Sequence, residues 1–243
     1  MWTRIAWVSA ASILLFHAGE AYGQARLYGG VKGWYASWDL HIDRLEGVEQ
    51  TDYSAAFLAG PYATLRLGRF MLSTSFVTTA KHFQAEARNP GIYHVGFNAN
   101  RLLLRTDVNV QTAWNLSPEF SLFAAVKYLR YVLRDATVFI NGTQVRTEDV
   151  FTGTGLGGGA LVSVPLPDRS PWYVFLSVGA VYNSFNVVIV ADKDKELLYF
   201  LESGMGFLVP GSNLAFTVGI RGEHGEGTKS IIGPMAAVFY RFF

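Results

Sequence analysis

The sequence predicts an all-β protein, an up-and-down antiparallel barrel of about ten strands that crosses a membrane, with eight or twelve strands as the alternatives. Three observations predict it. The chain is oily, with 50% hydrophobic and 15% aromatic residues and only 16% charged ones, against roughly 25% charged in soluble domains. Apolar and hydrophilic residues alternate at period two over long stretches, as they must where one face of a strand meets lipid and the other a lumen. Tight, turn-rich connections interleave with longer polar ones, as in a meander closed on itself. The 25 glycines fit the same picture, because glycine weakens helices and lets strands carry bulky neighbours.

The chain divides into a leader and one domain. Residues 1 to 23 read as a secretory signal: Arg4 gives the positive start, Ile5 to Phe16 the apolar stretch, and Ala21-Tyr22-Gly23 a small-x-small cleavage site. The apolar stretch falls short of the about 20 residues a spanning helix needs, so cleavage is expected and the mature domain is 24 to 243. Ten strands are expected at 25 to 39, 53 to 67, 69 to 81, 101 to 116, 118 to 135, 148 to 165, 171 to 190, 196 to 209, 212 to 223 and 230 to 242. The fourth is the plainest. Leu102, Leu104, Thr106, Val108, Val110, Thr112, Trp114 and Leu116 form one face, opposed by Arg105, Asp107, Asn109, Gln111 and Asn115. No amphipathic helix produces that order. In the second strand Phe57, Ala59, Ala63, Leu65 and Leu67 oppose Ser54, Gly60, Thr64 and Arg66, and Pro61 falls on the outer face, where it must do without a ladder hydrogen bond.

The short connections lie at Gly68, Ser117-Pro118, Pro165 to Pro171 and Pro210 to Asn213, all rich in turn formers. The long ones are Leu40 to Asp52, His82 to Asn100, the region around Asn141, Ala191 to Lys195 and His224 to Lys229. An even strand number puts both termini on one side, with the short turns. Asn141-Gly142 between Thr137–Ile140 and Thr143–Arg146 is the signal for a tight type I′ hairpin, so strands five and six should run on past the membrane. Asp192 to Lys195 is expected to cap strands seven and eight in the same way.

Several function classes fall away. A formal charge of +1 with no run of Lys or Arg gives no field for nucleic acid. The absence of cysteine excludes disulfides, thiolate metal sites, a Cys nucleophile and lipidation of an N-terminal Cys. Gly153-Thr-Gly155-Leu-Gly157-Gly158-Gly159 imitates a dinucleotide-binding pattern, yet it runs inside a strand whose other face continues through Leu156, Ala160, Val162 and Val164. A true fingerprint opens a helix; here the glycines are expected to leave room in the lumen for side chains of neighbouring strands. No cofactor is expected.

The terminal segment Val238-Phe239-Tyr240-Arg241-Phe242-Phe243 resembles the aromatic last strand of the small bacterial outer-membrane β-barrel proteins, and the whole mature chain resembles that class in architecture. The preferred register turns Val238, Tyr240 and Phe242 outward and Arg241 inward. The resemblance implies outer-membrane localisation with both termini periplasmic, outer-membrane lipid and lipopolysaccharide as surroundings, and recognition by the assembly machinery through Tyr240, Phe242 and Phe243. The class spans pores, enzymes and adhesins, so the fold does not choose a role.

Candidate sites follow from the register. The lumen is expected to hold Arg26, Lys32, Arg66, Arg105, Lys127, Arg221 and Arg241 against Asp107 and Glu202. So many charges in a narrow interior must pair or be hydrated. Their pairing gives a polar plug, and their excess of positive charge gives, as the second reading, a narrow channel for small anions. Wide aqueous channels belong to barrels of about 16 strands or more, which favours the plug. Four histidines, His41, His82, His94 and His224, lie in or beside outer loops, near Asp39, Asp43 and Glu223. A rim hydrolase acting on lipid A or peptide through His82, His224 and Glu223 is the third reading, although the motifs of outer-membrane proteases and lipid A deacylases are absent. The histidines lack the tight spacing of a metal site. Asn141-Gly142-Thr143 matches a glycosylation acceptor, which the turn already explains. Trp114, Trp172, Tyr199 and Tyr240 sit near strand ends, as expected of an interfacial girdle. A structural or surface-interaction role through the outer loops, in a monomer, ranks first.

Overall fold

The computed structural model of the chain describes residues 25–39, 51–81, 83–87, 101–140, 143–167, 170–186, 195–225 and 229–243. These residues form eleven strand segments: β1 (Arg26–Asp39), β2 (Thr51–Leu67), β3 (Phe70–Lys81), β4 (Phe83–Ala87), β5 (Arg101–Asn115), β6 (Phe120–Ile140), β7 (Thr143–Pro165), β8 (Trp172–Phe185), β9 (Lys195–Leu208), β10 (Leu214–Gly225) and β11 (Lys229–Arg241). Segments β3 and β4 both pair with β2 on one side and β5 on the other, so they are successive pieces of one stave. Ten antiparallel staves then close into a barrel where β1 pairs with both β2 and β11. Closure leaves no strand edge along the wall, which is the condition for a sheet surrounded by lipid.

The short turns have the backbone that their sequences call for. Leu67 pairs with Phe70 across Gly68-Arg69, and Gly68 adopts a left-handed φ of 57°, as does Gly211 (φ 72°) in the β9–β10 turn; only glycine enters that region freely. At the same rim β1 meets the last residues of the chain, with Phe242 N donating to Leu27 O at 2.9 Å and Leu27 N to Phe243 O at 3.1 Å. At Pro61, which lies on the outer face, the β2–β3 ladder skips from Ala59↔Thr78 to Tyr62↔Ser75, so the missing N–H interrupts one ladder while the β1 pairing Val31↔Pro61 persists.

Two elements differ from expectation, and a third extends as expected. The third stave does not stop at residue 81, because β4 continues it by pairing with Thr51–Tyr53 of β2 and Arg101–Leu103 of β5. Strands β6 and β7 run on past the wall, as expected from the segments flanking Asn141-Gly142, with pairing from Ala136↔Thr147 to Ile140↔Thr143, whereas β5 pairs only as far as Arg134 and β8 as far as Gly153. Asn141 and Gly142, between the last pair, lie outside the described residues, as do the leader, His41, Asp43, His82, His94 and residues 187–194. Strand β10 runs to Gly225, so His224 belongs to a strand paired with Ser230 and not to a loop.

Side chains sort by the period-two rule into two surfaces. The outer one carries Val31, Phe76, Val126, Leu156, Leu176, Tyr182, Val218 and Ile232, all exposed. The lumen wall is more apolar than alternation alone suggests. Trp34, Leu58, Val77, Leu103, Leu129, Tyr131, Leu198, Ile231 and Met235 point inward and pack into one cluster. The glycine stretch of β7 creates space for this filling. A Cβ on Gly153 would stand 2.5 Å from Phe185 Cε1, one on Gly157 2.6 Å from Val181 Cα, and one on Gly159 2.6 Å from Phe123 Cζ. None of these distances is open to a real side chain.

Candidate functional site in the barrel lumen

Inside the barrel the inward positions of five strands bring together a continuous network of charges. Lys32 of β1 donates to Glu202 of β9 at 2.6 Å, and Arg221 of β10 reaches the same Glu202 oxygen at 3.4 Å. Arg221 also holds Glu223 at 2.7 Å, and Lys127 of β6 holds the same Glu223 oxygen at 2.7 Å and Asp107 of β5 at 3.0 Å. Arg105 of β5 donates through one nitrogen to Asp107 at 3.0 Å and to the second oxygen of Glu223. Asp107 lies 3.5 Å from Arg221, which closes the circuit. Arg105 and Glu223 have completely buried side chains. The indole of Trp34 lies under both guanidinium groups, 5.5 Å from Arg105 and 5.0 Å from Arg221, and the Tyr131 ring is 5.7 Å from Arg105. Aromatic faces attract such cations, so part of the compensation for burial comes from rings.

The connectivity decides what this arrangement can do. Strands β5 and β10 stand five staves apart in a ring of ten, directly opposite one another, and Arg105 and Glu223 touch across that diameter. Lys127 to Glu223 and Lys32 to Glu202 add further chords between staves that are not neighbours. Toward the rim away from the termini, Leu103 follows Arg105, Leu129 and Tyr131 follow Lys127, and Leu198 follows Glu202, all buried. An apolar layer thus backs the charged one. Two buried carboxylates shared among several cations are fully compensated only as a set.

The expected lumen residues separate into two groups. Lys32, Arg105, Asp107, Lys127, Glu202 and Arg221 are joined in the network. Arg26, Arg66 and Arg241 are not. They sit at the rim with the termini, where Arg66 Nε donates to Gly68 O at 3.4 Å and Arg241 Nη2 to Asn213 Oδ1 at 2.9 Å. Glu223, expected as a rim acid beside His224, is instead the hub of the network. The reason is parity: neighbours in a strand face opposite ways, so His224 points outward and its Nδ1 lies 2.9 Å from Ser230 Oγ. The pair cannot act as an acid–base couple in this geometry. Trp34, Tyr131 and Glu196 are buried inward residues that sequence reasoning passed over; alternation traced through β1, β6 and β9 would have placed each on the lumen side. Among the described residues no group of three or more His, Asp or Glu is arranged to hold a metal ion.

At the last strand Val238, Tyr240 and Phe242 point outward and Phe243 is exposed, with the Tyr240 and Phe242 rings in edge contact at 5.1 Å. No family model and no curated protein matches the chain. Solved structures of similar shape include the β domain of the Bordetella autotransporter BrkA (11% identity, TM-score 0.45, covering 90% of this chain and 99% of that one). The outer membrane protease OmpT from Escherichia coli also aligns (11%, TM-score 0.43, covering 90% and 96%), as does the toluene transporter TodX of P. putida (8%, TM-score 0.36, covering 92% and 91%).

Proposed function

We propose that the chain is a bacterial outer-membrane barrel with a shut lumen, whose role is structural or interactive and is carried by the rim opposite the termini. The observation that supports it most is the direct Arg105–Glu223 contact across the full diameter, reinforced by the apolar layer behind it. The membrane part of the reading is supported by the outer surface. Leaving a Leu, Val or Phe in water forgoes about 1.5–3 kcal/mol for each side chain, and here such residues cover the wall on every stave from β5 to β11. Lipid removes that cost. The termini are periplasmic in this reading, and Tyr240, Phe242 and Phe243 engage the assembly machinery. The barrel is a monomer.

Planar-bilayer recording tests the shut lumen. The purified barrel is expected to give a flat baseline at moderate voltage. Reproducible unit steps with anion selectivity would replace this reading with the narrow channel.

A further inference from the structure

We infer that the outer wall of β6 to β9, at the rim away from the termini, holds the headgroup of an anionic membrane lipid, with Arg130 and Lys195 as its charge partners; this rests on the membrane-barrel reading above. The outward residues of these strands form two parallel rows fixed by register. One is apolar: Val126 pairs with Leu156, Leu156 with Tyr182 and Tyr182 with Leu197. All four are exposed, Leu156 by 70%. The adjacent row, one step nearer the rim, is polar: Tyr128 pairs with Thr154, Thr154 with Ser184 and Ser184 with Lys195, while Arg130 pairs with Thr152 beside it. Arg130 and Lys195 are exposed and flank hydroxyl groups that donate hydrogen bonds.

The change from oil to hydroxyl and cation within two residues along each strand marks where acyl chains end and headgroups begin. Tyr182, 54% exposed, lies at that boundary, where amphipathic rings are anchored. Charge selects the headgroup. Among side chains that are described, Asp107, Glu196, Glu202 and Glu223 face the lumen, and Glu119 sits in the β5–β6 turn at the opposite rim. Among the described side chains the two cations therefore have no carboxylate on their own surface. Long Arg and Lys stems lie along apolar surface while their heads reach toward headgroup phosphates. A lipid satisfies both rows at once, whereas free phosphate satisfies only the polar one.

Native mass spectrometry of the detergent-solubilised barrel tests this, using dimyristoylphosphatidylglycerol, dimyristoylphosphatidylcholine and inorganic phosphate as separate probes. Phosphatidylglycerol adducts are expected to survive, with the double variant Arg130→Gln/Lys195→Gln lowering their retention about tenfold. The variant Arg69→Gln, which removes an exposed cation at the other rim, is expected to leave it unchanged. Equal retention of the two lipids, no loss in the double variant, or binding of inorganic phosphate as strong as that of lipid overturns the inference. Insertion into phosphatidylcholine vesicles is scored separately: failure there sinks the membrane reading, while success with no lipid preference sinks this inference alone.

Discussion

Glu223 is the residue on which the lumen turns, because its two oxygens serve Arg105, Lys127 and Arg221 together. Glu202 serves Lys32 and Arg221 and keeps about a quarter of its side chain exposed, at 23%. Removing one partner of a buried ion pair leaves the others charged and unpaired, which costs about 3–5 kcal/mol, far more than the pair contributes relative to an apolar replacement. Glu223→Gln is therefore expected to lower the unfolding free energy by about 3 kcal/mol or more, and Glu202→Gln by about 1 kcal/mol, since water reaches its site. Urea unfolding of both variants in lipid vesicles checks the order. Equal losses would mean that the network is hydrated throughout. Arg105→Lys is a different perturbation, because a point ammonium cannot reproduce the planar stacking of the guanidinium on Trp34 and Tyr131.

At the scale of elements, the glycines of β7 fill two roles that a pair of double-mutant cycles separates. At Gly153 the obstacle to a Cβ is the Phe185 ring, the end of a side chain, whereas at Gly157 it is the backbone of Ala180 and Val181. Gly153→Ala is expected to cost about 1–3 kcal/mol as overpacking and to be largely restored by Phe185→Leu, with a measurable coupling energy. Gly157→Val is expected to remain destabilised when Val181→Ala is added, because backbone cannot yield. Restoration in both cycles would show that the sheet shifts freely there. Much of this was legible beforehand. Alternation in 101 to 116 placed Arg105 and Asp107 in the lumen, and the interruption of that face by Leu103 and Ala113 is what alternation alone concealed. Inward apolar residues break the rule because a narrow lumen is a packed core, not a water column. Glu223 escapes sequence reasoning for a related reason: it lies next to a histidine in sequence, and its partners on other strands stand four and five staves away. For His41, His82 and His94, which lie outside the described residues, alternation offered no geometry.

For the whole molecule, the balance between its two surfaces determines where it can exist. In the proposed membrane reading the bilayer is the solvent of the outer wall, so Leu176→Arg, in the middle of β8 with 42% exposure, is expected to cost about 2–4 kcal/mol in a bilayer, and Ser177→Ala on the lumen side of the same strand much less. Vesicle-based unfolding measures both; a null effect for Leu176→Arg would mean that this face does not meet hydrocarbon. The lumen, in turn, carries two layers of different chemistry, which close it in the proposed reading. Arg105→Ala with Glu223→Ala removes the side chains that meet across the diameter, but Leu103, Leu129, Leu198 and Ile231 remain in place on the far side of the gap. A constriction lined by such groups excludes water and ions without a charged plug. The double variant is therefore expected to keep a flat baseline in planar bilayers, and discrete openings are expected only when Trp34→Ala and Leu198→Ala are added, in protein whose circular dichroism retains the strand signal. Steps from the double variant alone would assign the whole seal to the ion network and none to the apolar layer.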